Sequence, residues 1–509
     1  MAQQGQARQA KLTLGVFLGL YLVAVVPVLT APIPPLFDYP NHLGRMAILA
    51  AAGNDPTLNR YYAVRWSLLP NLGMDAMVPV LARFMPLVIA GQVFLLMVLG
   101  LLAAGPVLLF RGFWGYWSPW PCAGFLLLYS RVFLWGFVNY LAGIGLAMAA
   151  MALWLFLGHR SWLVRGMAGA GAVMVVFLCH LEAFGVLVLA LLGLDGPHIM
   201  RDIAARAWSS AAARTAGLAL ALLPAAVVFF VLWQPHAGAA MTAPRLDRKL
   251  DLLFSVFDNY SRPFDVVCFV AVVVAAIVGL IKRKLVLAPG AGPVLGMIGL
   301  VYLLLPSTLF TGAGADHRLP LALFLILAAA TNPSGLTRRA MTILACSGVI
   351  LFGVRMAAIE AVWSRDADIY RGDLAILSML KPGARLAVAA PAKLVEVIRA
   401  PLYHFPVLAV VLRDAFVPTL FAYDTQQPVA LREPWRSIAA QSDPNRIWLG
   451  FTGTDLNASL IRQFVFTHYD AVVFPGGPAP NQIDTHCLRP LGASNGFWLY
   501  TIVVQPKGC

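Results

Sequence analysis

Residues 12–30, LTLGVFLGLYLVAVVPVLT, form an apolar run of bilayer length, followed by Asp38-Tyr39-Pro40-Asn41-His42 and, one turn later, Arg45. A hydrocarbon core of about 30 Å takes about 20 apolar residues as helix. The run is long for a signal-peptide core, and Pro32 follows its one small-residue site, Leu29-Thr30-Ala31, so it reads as an uncleaved first helix. An acid, an amide, an imidazole and a guanidinium gathered at the exit of such a helix call for a function, because polar groups beside hydrocarbon are costly to keep.

The rest of the 509-residue chain extends this reading: 60% of it is hydrophobic, 12% is charged, and mean hydropathy is +0.77. Length and apolarity predict about eleven spans, near 12–30, 87–110, 116–130, 138–158, 167–180, 183–194, 215–233, 265–281, 289–305, 319–331 and 340–358. Residues 72–84 are apolar but broken by Asp75, Pro79 and Arg83, and read as a helix lying in the interface. Residues 41–53 read as a second, amphipathic interfacial helix with Pro40 in its first turn.

The net charge of +14 excludes a nucleic-acid reading by its distribution. With a cytoplasmic N-terminus, the inner segments carry Arg8, Lys11, Arg111, Arg160, Arg165, Arg201, Arg206, Arg214, Lys282, Arg283, Lys284, Arg338 and Arg339 against Asp195 and Asp202 alone. That is the positive-inside asymmetry, and it assigns the chain to the cytoplasmic membrane with its C-terminal part outside. Two domains are expected: 1–360, a membrane domain whose outer loop 31–86 carries the interfacial helices, and 361–509, an α/β domain outside the membrane. Strand-like runs at 385–390, 471–474 and 496–504 and a helical stretch near 404–416 mark the second. Cys487 and Cys509 fall in it and are expected to form a disulfide, with 488–506 as a returning hairpin; no CxxC pair or zinc spacing occurs.

Candidate site residues lie at the outer ends of the segments. Asp38, Asn41 or His42, and Arg45 share a helical face; the alternative is Asp38 as a cap and Arg45 reaching lipid phosphates. Asn139-Tyr140 opens the fourth span, as substrate contact or as interfacial belt. His180 and Glu182 flank a break between short segments and are natural partners for each other. The basic, aromatic loop 234–264 contains Asn259 and Tyr260, and suits a lipid phosphate. Asp316, His317 and Arg318 precede the tenth span, where Arg318 offers a planar fork to a phosphate oxygen or staples Asp316. Phe474-Pro475-Gly476-Gly477 is a strand exit with little to hold a phosphate.

This layout resembles the GT-C class of membrane glycosyltransferases: protein O-mannosyltransferases, lipid A aminoarabinose transferases and oligosaccharyltransferase catalytic subunits. The shared features are a multi-span body, a first outer loop with interfacial helices and an early acid, here Asp38, and often a C-terminal outer domain. The resemblance implies inverting transfer from a polyprenyl-phosphate sugar, with Asp38 as base or its orienter. Arg45, Arg318, His42 and His317 would then bind the donor phosphate. No cofactor beyond the lipid-linked donor is implied. No second acid follows Asp38 and Trp-Trp-Asp is absent, which leaves metal dependence and protein acceptors open. The rival classes are a transporter or flippase, which calls for ionisable residues at mid-span and paired broken helices, and a non-catalytic envelope assembly protein. Sugar, acceptor and oligomeric state are not legible.

Overall fold

The computed structural model describes residues 2–232, 243–309, 312–423, 426–476 and 487–503. It is a polytopic helical membrane protein with a small C-terminal sheet. Among the described residues eight helices are long and apolar enough to cross a bilayer: Gln4–Thr30, Leu87–Trp114, Val138–His159, Trp162–Cys179, Leu181–Ala204, Trp208–Val231, Arg262–Ile281 and Arg338–Leu377. Two further expected spans appear as the shorter helices Ala291–Leu304 and Ala315–Ala330.

The eleventh, 116–130, is not an α-helix. Pro119, Pro121 and Gly124 remove donors and helix preference, and Trp120–Leu127 winds as a 3-10 helix instead. It still travels the length of Ala315–Ala330. Trp120 Nε1 donates to Thr331 Oγ1 just past that helix's last residue, and Trp135, beyond the other end of the 3-10 segment, packs on His317 in the helix's first turn. Irregular backbone at membrane depth survives only when protein covers it. Here Phe125 meets Phe17 and Phe352, and Gly124 lies against Leu325.

Contacts divide the chain into two compact units. The first comprises Met1–Val26, Leu68–Gly73 and Leu95–Ile359; the second comprises Pro27–Ser67, Met74–Phe94 and Glu360–Cys509. Most of loop 31–86, expected with the membrane domain, thus belongs to the second unit. Its helix Tyr39–Ala50 is not half-exposed as an interfacial helix would be: Tyr39 through Met46, Ile48 and Leu49 are all buried. Gly44 explains part of this, since a Cβ there would stand 2.7 Å from Val407 Cγ1. Tyr62–Val64 pairs antiparallel with Val429–Leu431, and Tyr61 Oη donates to the Gly383 carbonyl at 2.6 Å. Residues 72–84 form the short helix Gly73–Leu81, with Asp75 fully buried.

The C-terminal sheet runs Leu386–Val388, Ala471–Phe474, Phe497–Ile502, Leu488–Ser494 in spatial order, the first pair parallel and the others antiparallel. The last two strands form the expected hairpin, closed at Asn495-Gly496, where both residues have positive φ. Cys487 is buried and disulfide-bonded. Its expected partner Cys509, and Gly477, lie outside the described residues.

The 40-residue helix Arg338–Leu377 is about 60 Å long, twice the hydrocarbon thickness, so its charged second half stands clear of the bilayer. There Asp373 is fully buried, and burial pushes its carboxyl up to about 7 against the opposing influence of nearby Ser494. No hydrogen bond of good geometry reaches either oxygen. The folded pKa is above the unfolded one, so Asp373 carries no penalty at low pH and destabilises the fold as pH rises through about 7. Asp373→Asn is therefore expected to gain thermal stability over the wild type progressively between pH 4 and 8, reaching at most about 4 kcal/mol. Thermal unfolding of both proteins across that range measures it; a pH-independent difference would contradict the assignment.

Candidate functional site

In the second unit, Asp38 occupies the position before the helix Tyr39–Ala50 but makes no capping hydrogen bond; its own backbone is already α-helical. The cap alternative therefore fails. A carboxylate caps from an extended residue, where its oxygen can reach the N–H groups of the first turn. Asp38 instead places Oδ1 3.5 Å from His404 Nε2, both side chains being nearly enclosed.

His404 was not singled out in the sequence, although it lies in the aromatic run Leu402-Tyr403-His404-Phe405. It is ringed edge-on by Phe37 at 4.9 Å, Tyr403 at 4.9 Å and Phe421 at 5.1 Å. Burial holds its pKa down to about 3, so the ring is neutral at physiological pH. A neutral imidazole has one N–H, and the facing carboxylate favours its placement at Nε2. The outcome is a carboxylate facing a neutral imidazole within an aromatic wall.

The remaining polar residues of this helix converge on the same wall. Asn41 Oδ1 accepts from the Phe421 amide at 2.8 Å, and the His42 ring lies edge-on to Phe421 at 6.3 Å. The expected shared face of Asp38, Asn41, His42 and Arg45 is thus present. Arg45, however, does not reach toward lipid. It is wholly buried and binds Asp75 through both carboxylate oxygens, Nε to Oδ1 at 2.6 Å and Nη2 to Oδ2 at 2.9 Å. Nη2 also approaches His42 Nδ1 at 3.3 Å, which leaves Nη1 as the one nitrogen of this guanidinium without a partner among the described residues. An isolated acid in an apolar helix demands a cation, so Asp75 was the available clue to this pair. Gln92 completes the frame, donating to the Val28 and Ala31 carbonyls at 2.9 Å each.

In the first unit the expected pairings are exchanged. Asp316 does not staple Arg318: it binds Lys249 Nζ at 2.8 Å and accepts from Ser307 Oγ at 3.0 Å. Nor do His180 and Glu182 pair through their side chains. His180 Nδ1 accepts the Glu182 backbone N–H at 3.1 Å, capping the helix Leu181–Ala204. The Glu182 carboxylate binds Arg318, whose guanidinium lies 4.1 Å over the Phe137 ring. Tyr140 Oη donates to the Arg318 carbonyl at 2.8 Å, and the Tyr140 ring packs edge-on against His180. Tyr140, His180, Glu182 and Arg318 therefore form one cluster, and Glu182 Oε1 is buried there without a donor among the described residues.

His317 sits beside it, 3.9 Å from Asp316 and against Trp135. Asn139 turns away to bind Asn71, donating to both its carbonyl and its side-chain oxygen at 3.0 Å. Asn259 and Tyr260 belong to a separate structural knot: the Asn259 amide donates to Asp265, which pairs with Arg355 at 2.5 Å, and Asn259 Oδ1 accepts the Tyr260 N–H. These two are loop-building residues. Among the described residues no three of His, Cys, Asp or Glu gather as metal ligands would.

No family model matches the chain, and no curated protein matches it. Among solved structures it is similar to the crystal structure of ArnT from Cupriavidus metallidurans bound to undecaprenyl phosphate, at 13% identity over 98% of this chain and 99% of that one, with a TM-score of 0.47.

Proposed function

We propose that this protein is a membrane glycosyltransferase that moves a sugar from a polyprenyl-phosphate donor to a hydroxyl of an envelope glycan or lipid, at the outer face of the cytoplasmic membrane. The observation that carries the reading is Asp38: a nearly enclosed carboxylate just past the first span that makes no cap bond and faces the His404 imidazole at 3.5 Å. In the proposed reaction Asp38 takes the acceptor hydroxyl's proton as that oxygen attacks the anomeric carbon, and the bond from that carbon to the lipid phosphate breaks with inversion. His404 is the positioning residue, since its depressed pKa keeps it from titrating near neutrality. In the other unit, Arg318 and Glu182 form a polar cluster of their own, a guanidinium bound to a carboxylate whose Oε1 has no donor among the described residues.

A flippase or transporter would need ionisable groups at mid-span. The buried acids of the first unit named above, Glu182, Asp265 and Asp316, all stand in the first turns of their helices, which favours the transferase. Mass spectrometry of envelope glycans and of the polyprenyl-phosphate sugar pool, in cells with and without the protein, tests it. A glycan that loses one sugar while the donor accumulates is the expected result; unchanged glycans and donor pool would overturn the reading.

A further inference from the structure

The first unit contains a cavity that the proposed reaction does not use. The helix Val138–Phe156 starts beside the Arg318 cluster; at its far end a cavity of about 220 Å³ opens among Trp154, Arg160, Trp162, Arg165, Ser210 and Arg214. Three guanidinium groups in one small space repel unless something balances them. Two carboxylates do so in part. Arg165 is fully committed, with Nη1 and Nη2 on Asp195 at 3.0 and 3.1 Å, Nε on the Trp154 carbonyl at 3.1 Å, and its plane 4.0 Å over the Trp154 ring. Arg214 gives only Nε to Asp202, at 3.0 Å, and leaves both Nη groups available. Arg160 is exposed and has no side-chain partner among the described residues. The cavity therefore carries one uncompensated positive charge and at least two unused guanidinium edges.

A second observation points to a ligand. Trp154 is 98% enclosed, yet its Nε1–H has no acceptor. The benzo edge of that indole is the one pressed on Gly169, where a Cβ would come within 2.7 Å of Cζ3, so the N–H lies on the opposite edge. An enclosed donor without an acceptor costs about 1–3 kcal/mol and invites one. The helices Trp162–Cys179 and Trp208–Leu232 also both begin at this cavity, adding the positive ends of two dipoles.

The surroundings identify the source of the anion. Trp162 lines the cavity and is exposed, and the first turns of the two helices that begin there also expose Leu163, Val164, Met167 and Trp208, the mixture of indole rings and aliphatic chains that marks a membrane interface. We propose that this cavity binds the phosphate of an anionic phospholipid headgroup, through Arg160, Arg214 and the Trp154 N–H, with the acyl chains lying along the exposed apolar residues. This inference stands independently of the glycosyltransferase reading.

The test uses the purified, delipidated full-length chain, with thermal stabilisation and native mass spectrometry reporting binding of phosphatidylglycerol, phosphatidylcholine or inorganic phosphate. The wild type is expected to prefer phosphatidylglycerol. Each arginine near an anionic headgroup is worth about fivefold in affinity, so Arg160→Gln with Arg214→Gln should weaken phosphatidylglycerol binding about 30-fold. Arg338→Gln with Arg339→Gln, which removes the same charge elsewhere, should leave it unchanged. The proposal is overturned if the cavity variant keeps the preference, if the control variant loses it equally, or if inorganic phosphate stabilises the protein as well as the lipid does.

Discussion

Asp38→Asn is expected to lower sugar transfer by about 10²- to 10⁴-fold, the usual cost of losing a general base, while the protein remains folded and inserted. The substitution preserves size and one hydrogen-bond acceptor but removes the basic oxygen. A capping aspartate would report differently, as a loss of about 1 kcal/mol of stability with activity retained. Because Asp38 makes no capping bond, that stability loss is not expected here. His404→Ala should lower activity through misplacement of Asp38, and His404→Gln, which retains a donor near the Nε2 position, should recover part of it. The measurements are donor turnover in membranes and melting temperature of the purified variants. Near-wild-type turnover in a folded Asp38→Asn protein would remove Asp38 from the chemistry and the glycosyltransferase reading with it.

The sequence revealed what depends on composition and local spacing. Spans are long apolar runs whatever they pack against, so eight of the expected ones return as bilayer-length helices and two more as shorter ones. Residues 116–130 have the same apolarity, but two prolines and a glycine rule out the α-helix, a conflict that length and hydropathy do not register. Strand Ala471–Phe474 was legible for the same local reason, and the Asn495-Gly496 turn was a hairpin signal in plain view. Partner choice was not legible. Asp316 and Arg318 are two residues apart, yet each finds its counter-charge on another helix, Lys249 and Glu182. Sequence proximity proposes the nearest opposite charge, whereas a helix sends residues two apart to different sides. Asp38 and His404 meet only through tertiary packing of the second unit, which no spacing rule encodes.

Asp75→Asn is expected to destabilise the second unit by about 3–5 kcal/mol, the cost of leaving one member of a buried ion pair unmatched. Asp75 and Arg45 are both fully enclosed, and two short contacts bind guanidinium to carboxylate. Removing the negative charge strands a cation whose Nη1 is already without a partner. For a unit of this size, each kilocalorie per mole corresponds to about 2–4 °C, so the melting transition should fall by roughly 6–20 °C. Solvation, not attraction, dominates this prediction: the pair itself contributes little beyond an apolar pair of equal volume. Replacing both members, Arg45→Met with Asp75→Leu, should therefore recover most of the loss. If Asp75→Asn melts like the wild type, Arg45 has found another anion or reached water, and its guanidinium would return as a donor to a lipid phosphate. If the double replacement recovers stability but not transfer, the pair serves to hold His42 and the Asp38 helix in register, because Arg45 Nη2 is what meets His42 Nδ1. The double variant thus separates the structural role of the pair from any part it takes in the chemistry.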